Sequence, residues 1–311
     1  TVFSVYAEGG SSALSTSNIT GGNGFGGTRR IRVLNGASAT LQLVGGISGG
    51  VGGNGSGTGD GGDGFGGINS AEVISSTLNI IGEFALVDQT TGGNGRIGGD
   101  ANGGGEGGGL SLTATDSTVN LLPDSTGVAR IFIGGTTQGG TGTVAGGLAR
   151  TPTVNVGMIS TTINGGTILV TPIAAGGVAT NPDGVGGNAF ASAITVNLTD
   201  TGLSLFGEAA FSSTAVGGAG GINGQGGSAR SGAVDVVLTD STGTIQTSQV
   251  GIPGILRVSS SATGGAGASV GNATSARASL SLANTVLDVG QLYVESRALS
   301  EASSTGQVGG S

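Results

Sequence analysis

The chain has 311 residues, enough for two ordinary domains, but 71 are Gly and only 5 are Pro, and no Gly-X-Y period runs through it, which excludes collagen. Charged residues make up 9% and apolar ones 36%, so the chain is unlike a disordered segment and has surface to bury, nearly all of it on small side chains because aromatics are 3%. A net charge of −8 argues against phosphate neutralisation and hence nucleic acid; without Cys, His or Lys there is no disulfide or thiolate-metal chemistry, and no apolar run of 18 residues suggests membrane insertion.

In chain order, Phe3-Ser4-Val5-Tyr6 reads as a short strand leading toward the first glycine-rich stretch, GGNGFGG from Gly21. Arg29, Arg30 and Arg32 follow, the one basic cluster. Their alternation with Ile31 and Val33 places them on the wet face of a strand. Glycine stretches return as GGDGFGG from Gly61 and GGNGRIGGDANGGGEGGG from Gly92. Leu112, a polar Thr115-Asp116-Ser117-Thr118 corner, then Val119 and Leu121 form a strand-corner-strand unit, and Ile131-Phe132-Ile133 forms a third strand.

The same cassette recurs. Ile194, Val196 and Leu198 alternate with Thr195 and Asn197, Thr199-Asp200-Thr201-Gly202 turns the chain, and Leu203 and Leu205 begin the next run. Val234, Val236 and Leu238, then Thr239-Asp240-Ser241-Thr242-Gly243, then Ile245 repeat it. Third strands appear at Ile168-Leu169-Val170, Leu256-Arg257-Val258 and Leu292-Tyr293-Val294, and Gly306–Ser311 enters another glycine stretch.

Gly-Gly pairs at Gly21, Gly61, Gly92, Gly134, Gly176, Gly217 and Gly264 lie 40, 31, 42, 42, 41 and 47 residues apart, so the unit is about 40 residues. Such a unit cannot bury the dry faces of two or three short strands alone, but stacked on its neighbours it can. The expected fold is all-β: a parallel β-solenoid (β-helix) with glycine-rich stretches between coils. Residues 1–311 are one array of about seven units that starts and ends in mid-repeat, as a processed protein or fragment would. The rival is a sandwich or barrel of hairpins, signalled by Asn23-Gly24, Asn35-Gly36, Asn94-Gly95 and Asn164-Gly165. The glycine stretches are expected to be ordered, because Phe25 and Phe65 occupy matching GFGG positions.

The cadence of GGNGFGG, alternating strand, TDST corner and third strand resembles the glycine-rich strand repeats of very large bacterial surface proteins, the autotransporter-like and filamentous-haemagglutinin-like adhesins, notably of alphaproteobacteria. The resemblance covers essentially the whole chain. It implies export, extracellular or cell-surface display and a structural or adhesive role, with no catalytic residues to carry over. Expected partners are self-association end to end, or a longer chain continuing the array, and a surface or glycan receptor.

Candidate sites are few. Asp60 and Asp63 in GTGDGGDGFGG resemble the start of a calcium-binding β-roll nonapeptide, with Asp100 and Glu106 as scattered further acids, but no nine-residue register persists and they read as loop acids. The corner residues Asp116, Asp200 and Asp240 would line one edge. Their simplest reading is side-chain-to-backbone bonding that closes each turn. A polysaccharide-acting β-helix enzyme would need paired carboxylates in a groove that breaks the repeat, and nothing breaks it, so no catalytic, cofactor or metal residue is assigned. Glycine motifs for phosphate are not followed by Lys-Ser/Thr or a helix, and no regular Thr-x-Thr ladder marks an ice-binding face.

Overall fold

The computed structural model describes residues 3–8, 18–104, 109–247, 251 and 253–301. It is a parallel β-solenoid of about seven coils, with no helix among the described residues. No helix there is long and apolar enough to cross a membrane.

Each coil has three faces. The first is a seven-stranded sheet of Thr28–Leu34, Ile68–Ile74, Gly109–Thr115, Thr153–Ile159, Ile194–Thr199, Val234–Thr239 and Ala278–Ala283. The second carries Thr118–Leu122, Thr162–Asn164, Gly202–Phe206, Thr242–Gln246 and Val286–Val289. The third carries Phe3–Glu8, Arg130–Gln138, Thr167–Ala175, Glu208–Val216, Ile255–Gly264 and Gln291–Ser300. In the early coils Ser38–Val51 and Thr77–Asp88 run unbroken round the corner between these two faces, joining them into one 14-stranded sheet. Gly82, at φ +85°, lies within the second of these strands.

Successive coils pair in near-constant register. Val156, Val196, Val236 and Leu280 stand in one column, and Ile131, Ile168, Ala209, Leu256 and Leu292 in another. Because a strand points alternate residues to opposite faces, constant register sends every aliphatic column inward. Those columns merge into one continuous core. Each fully buried Val, Ile or Leu contributes roughly 1.5–3 kcal/mol. The Asn-Gly pairs do not make hairpins. Asn35-Gly36 and Asn164-Gly165 turn corners between strands on successive faces of a coil, with φ of +61°, +75° and +82° at Asn35, Gly36 and Gly165.

The glycine stretches form an ordered layer. After the third face each coil sends out an arm and brings it back, and a pair of residues sits on each arm: Gly176-Gly177 outward and Gly186-Gly187 back, for example. One hydrogen bond leads to the next along the axis: the amide of Gly53 donates to the carbonyl of Gly22, Gly62 to Gly53, Gly93 to Gly62, Gly99 to Gly93, and so on through Gly140, Gly147, Gly177, Gly187, Gly218, Gly227 and Gly265 to Gly271, at 2.7–2.9 Å. The line zigzags between outward and returning arms. Glycine is required because the backbones meet: a Cβ on Gly177 would lie 2.0 Å from the Gly140 carbonyl oxygen. A small second core of Ala149, Ala174, Ala189, Ala215, Ala229 and Ala262 joins the arms to the barrel of strands.

The frame differs from the sequence reading in which glycine pairs are equivalent. Gly134-Gly135 lies inside the third-face strand Arg130–Gln138, and the equivalent pair is Gly139-Gly140. Gly21 and Gly61 belong to returning arms, whereas Gly92, Gly176, Gly217 and Gly264 belong to outward ones. Both arms carry Gly-Gly, so a single marker mixed two series.

Candidate functional site

The loop acids are bound into ladders between coils. The Asp63 amide donates to Asn23 Oδ1 at 2.8 Å, the Asp100 amide to Asp63 Oδ1 at 2.8 Å, and the Leu148 amide to Asp100 Oδ1 at 2.9 Å. Asp60 pairs with Arg96 at 3.2 Å and accepts the Ile97 amide at 3.1 Å. These carboxylates thus close the stack from one coil to the next. Glu106 lies outside the described residues. Burial raises the Asp100 pKa, against the Leu148 amide, which lowers it.

The corners hold a column of left-handed residues: Asn35, Ser75, Asp116, Ser160, Asp200, Asp240 and Asn284, with φ from +46° to +61°. Short polar side chains are the ones that tolerate this conformation outside glycine. The turn-closing bond expected from the aspartates comes instead from the next residue. Ser117, Thr201 and Ser241 donate their hydroxyls to the carbonyls of Thr115, Thr199 and Thr239, at 2.6, 3.0 and 2.7 Å. These three hydroxyl-bearing residues are buried, whereas the aspartates are exposed. Asp200 and Asp240 bond across coils instead, accepting from Ser160 Oγ and Asn284 Nδ2, both at 3.0 Å.

The basic cluster is split. Arg30 and Arg32 face water, and Arg32 pairs with Glu72 at 2.7 Å. Arg29 points inward beside Ile31 and Val33, and burial lowers its pKa. Alternation decides this: Arg29, Ile31 and Val33 are two residues apart and share a face. One coil on, Asn69 occupies the Arg29 column, and then Leu110 and Val154.

A second polar line runs where the third face meets the glycine arms. Ser48 pairs in register with Asp88; Ser213, Ser260 and Ser296 share one register in later coils. Ser48, Asp88, Ser213 and Ser260 are buried. Ser213 Oγ donates to Ser192 O at 3.1 Å and accepts the Gly232 amide at 3.0 Å, and Ser260 Oγ donates to Gly232 O at 3.0 Å. The Asp88 carboxyl accepts from Thr90 Oγ1 at 3.1 and 3.2 Å and from the Gly67 amide. Burial pushes its pKa up to about 7, against those hydrogen bonds.

On the outer side, residues stack above one another next to the glycine arms. Phe25 and Phe65 stack with ring centroids 4.9 Å apart, as their matching positions suggested. The same column continues through Asn102, Arg150, Phe190, Arg230 and Thr274. The Arg150 guanidinium lies 5.8 Å from the Phe190 ring centre. A groove of about 370 Å³ runs beside Arg150, Phe190 and Arg230, lined also by Ala191, Ser192, Ala193, Ser231 and Gly232. Sequence reasoning missed this trio because its members stand 40 residues apart, and only superposed units bring Ala149-Arg150, Ala189-Phe190 and Ala229-Arg230 together.

The last described coil leaves its inward residues open. Leu282, Leu292 and Val294 are 47%, 50% and 45% exposed, whereas their partners one coil earlier, Leu238, Leu256 and Val258, are at most 3% exposed. Comparison of the chain with protein-family models, with curated proteins and with solved structures finds no match.

Proposed function

We propose that this chain is a non-enzymatic, extracellular structural and adhesive segment of a bacterial surface protein, a β-solenoid whose coils present the same apolar columns for further β coils to stack on. The observation that carries the reading is the near-constant register of the aliphatic columns, from Val156 through Val196 and Val236 to Leu280 and from Ile131 through Ile168, Ala209 and Leu256 to Leu292, by which each coil offers the next the same apolar surface. Parallel strands at the edge of a coil, lying over an aliphatic column, favour addition of another strand layer. The occupant is a coil of the same repeat, because the columns to be continued are those of the repeat itself. Export and surface display rest on the resemblance to glycine-rich adhesin repeats, with which the absence of Cys agrees.

Stacking of this kind is heterologous and does not close, so it yields fibres rather than rings. At ~4.8 Å per coil, seven coils rise only ~34 Å. Electron microscopy of the purified chain is therefore decisive: rods much longer than ~34 Å mean that copies have added end to end. A compact monomer by light scattering over a wide concentration range would defeat the reading.

A further inference from the structure

We propose that the groove along Arg150, Phe190 and Arg230 is a binding site for an acidic polysaccharide lying parallel to the solenoid axis, its carboxylate or sulfate groups held by the two guanidinium groups. The charge state of the arginines is the first argument. Arg32, Arg96, Arg130, Arg257 and Arg277 each reach a carboxylate of the chain. Arg150 and Arg230 have no carboxylate in ion-pair reach among the described residues. Asp100 senses the charge of Arg150, but its own contact is the Leu148 amide. On a chain of net charge −8, two exposed guanidinium groups on one groove form a local positive strip.

Geometry is the second argument. Arg150, Phe190 and Arg230 occupy consecutive coils in register, so the arginine stems are two coils apart, ~10 Å. The aromatic ring between them is half-buried, which suits the C–H face of a sugar ring, and the rest of the lining is small, alanine and glycine with the hydroxyl-bearing Ser192 and Ser231. Guanidinium forks match carboxylate and sulfate oxygens two at a time. A nucleic acid fits poorly, because its phosphates repeat every ~3.4 Å along a strand and two guanidinium groups ~10 Å apart neutralise few of them. The inference rests on the adhesive part of the function proposed above, for which it supplies the ligand.

The test is calorimetric titration of the whole chain with polygalacturonate, dextran sulfate and neutral dextran, alongside oligo-dT and phosphatidylglycerol vesicles. Binding of polygalacturonate or dextran sulfate, weakened by salt and absent with neutral dextran, is expected, and the stronger of the two identifies the acidic group. Arg150→Gln and Arg230→Gln should each weaken it roughly tenfold or more, the scale of one lost charge-assisted contact. Arg32→Gln, on the first face, should leave it unchanged. Equal binding of neutral dextran, no effect of the two groove variants, preference for oligo-dT or vesicles, or no binding at all overturns the inference. Rods that form normally yet bind none of these ligands defeat this inference alone and leave the stacking intact.

Discussion

Asp88 is a carboxylate in a column that carries serine at Ser48 in the preceding coil and at Ser213, Ser260 and Ser296 in the later ones. It sits between the backbones of two glycine stretches: a Cβ on Gly66 or Gly103 would lie 2.5 Å from one of its oxygens. Its raised pKa has a definite sign for stability. Between about pH 4 and pH 7 the folded chain holds a proton that the unfolded chain has lost, so stability falls as pH rises through that window and levels off above it. The full effect is on the order of 4 kcal/mol, from three pKa units at 1.36 kcal/mol each. Asp88→Asn keeps the shape and the acceptor while removing the titration. Its urea midpoint at pH 8 should exceed that of the parent chain, and the two should converge near pH 4. A parent midpoint that rises from pH 4 to pH 8 would contradict this assignment.

At the scale of single elements, in-out alternation makes sharp predictions. Val196 is buried in the aliphatic column and its neighbour Asn197 is exposed. Val196→Asp places an unpaired charge in that column and should cost several kcal/mol, on the order of 3–5, whereas Asn197→Ser should stay within about 0.5 kcal/mol. Glycines divide in the same way. Gly177→Ala drives a Cβ into the Gly140 carbonyl and should cost about 3 kcal/mol or more. Gly157→Ala meets nothing closer than Thr113 Cγ2 at 3.8 Å, lies in the regular strand Thr153–Ile159, and should be neutral within about 1 kcal/mol. Chemical denaturation of the two glycine variants side by side checks this, and equal losses would mean that the glycine layer is not close-packed.

Over the whole molecule, the solenoid and its cassette of three strands were legible because period-2 alternation and a repeat of about 40 residues act together. Ile194, Val196 and Leu198 announce their inward face without help. What was not legible depends on which residues the coiling superposes. Arg29 looked solvated beside Arg30 because three arginines within four residues suggest a wet surface, yet the parity shared with Ile31 and Val33 sends it inside. Asp116 and its equivalents looked like turn closers because Asp commonly is one, but the left-handed backbone puts the following hydroxyl in place for that bond. Arg150, Phe190 and Arg230 carry no local motif at all. Their juxtaposition exists only across coils, and so does any site that they form.

The zigzag of glycine hydrogen bonds, offset to one side of the aliphatic column, has a mechanical consequence. A beam resists flexure according to how far its bonded material lies from the neutral axis. Bending that opens the arm side must lengthen bonds in an unbroken line from Gly22 to Gly271, whereas bending in the perpendicular direction leaves that line near the neutral axis and loads it little. An assembly of such chains would therefore flex like a ribbon, stiff in the plane that contains the arms and compliant across it. Its curvature on a flat surface would follow the orientation of the glycine layer.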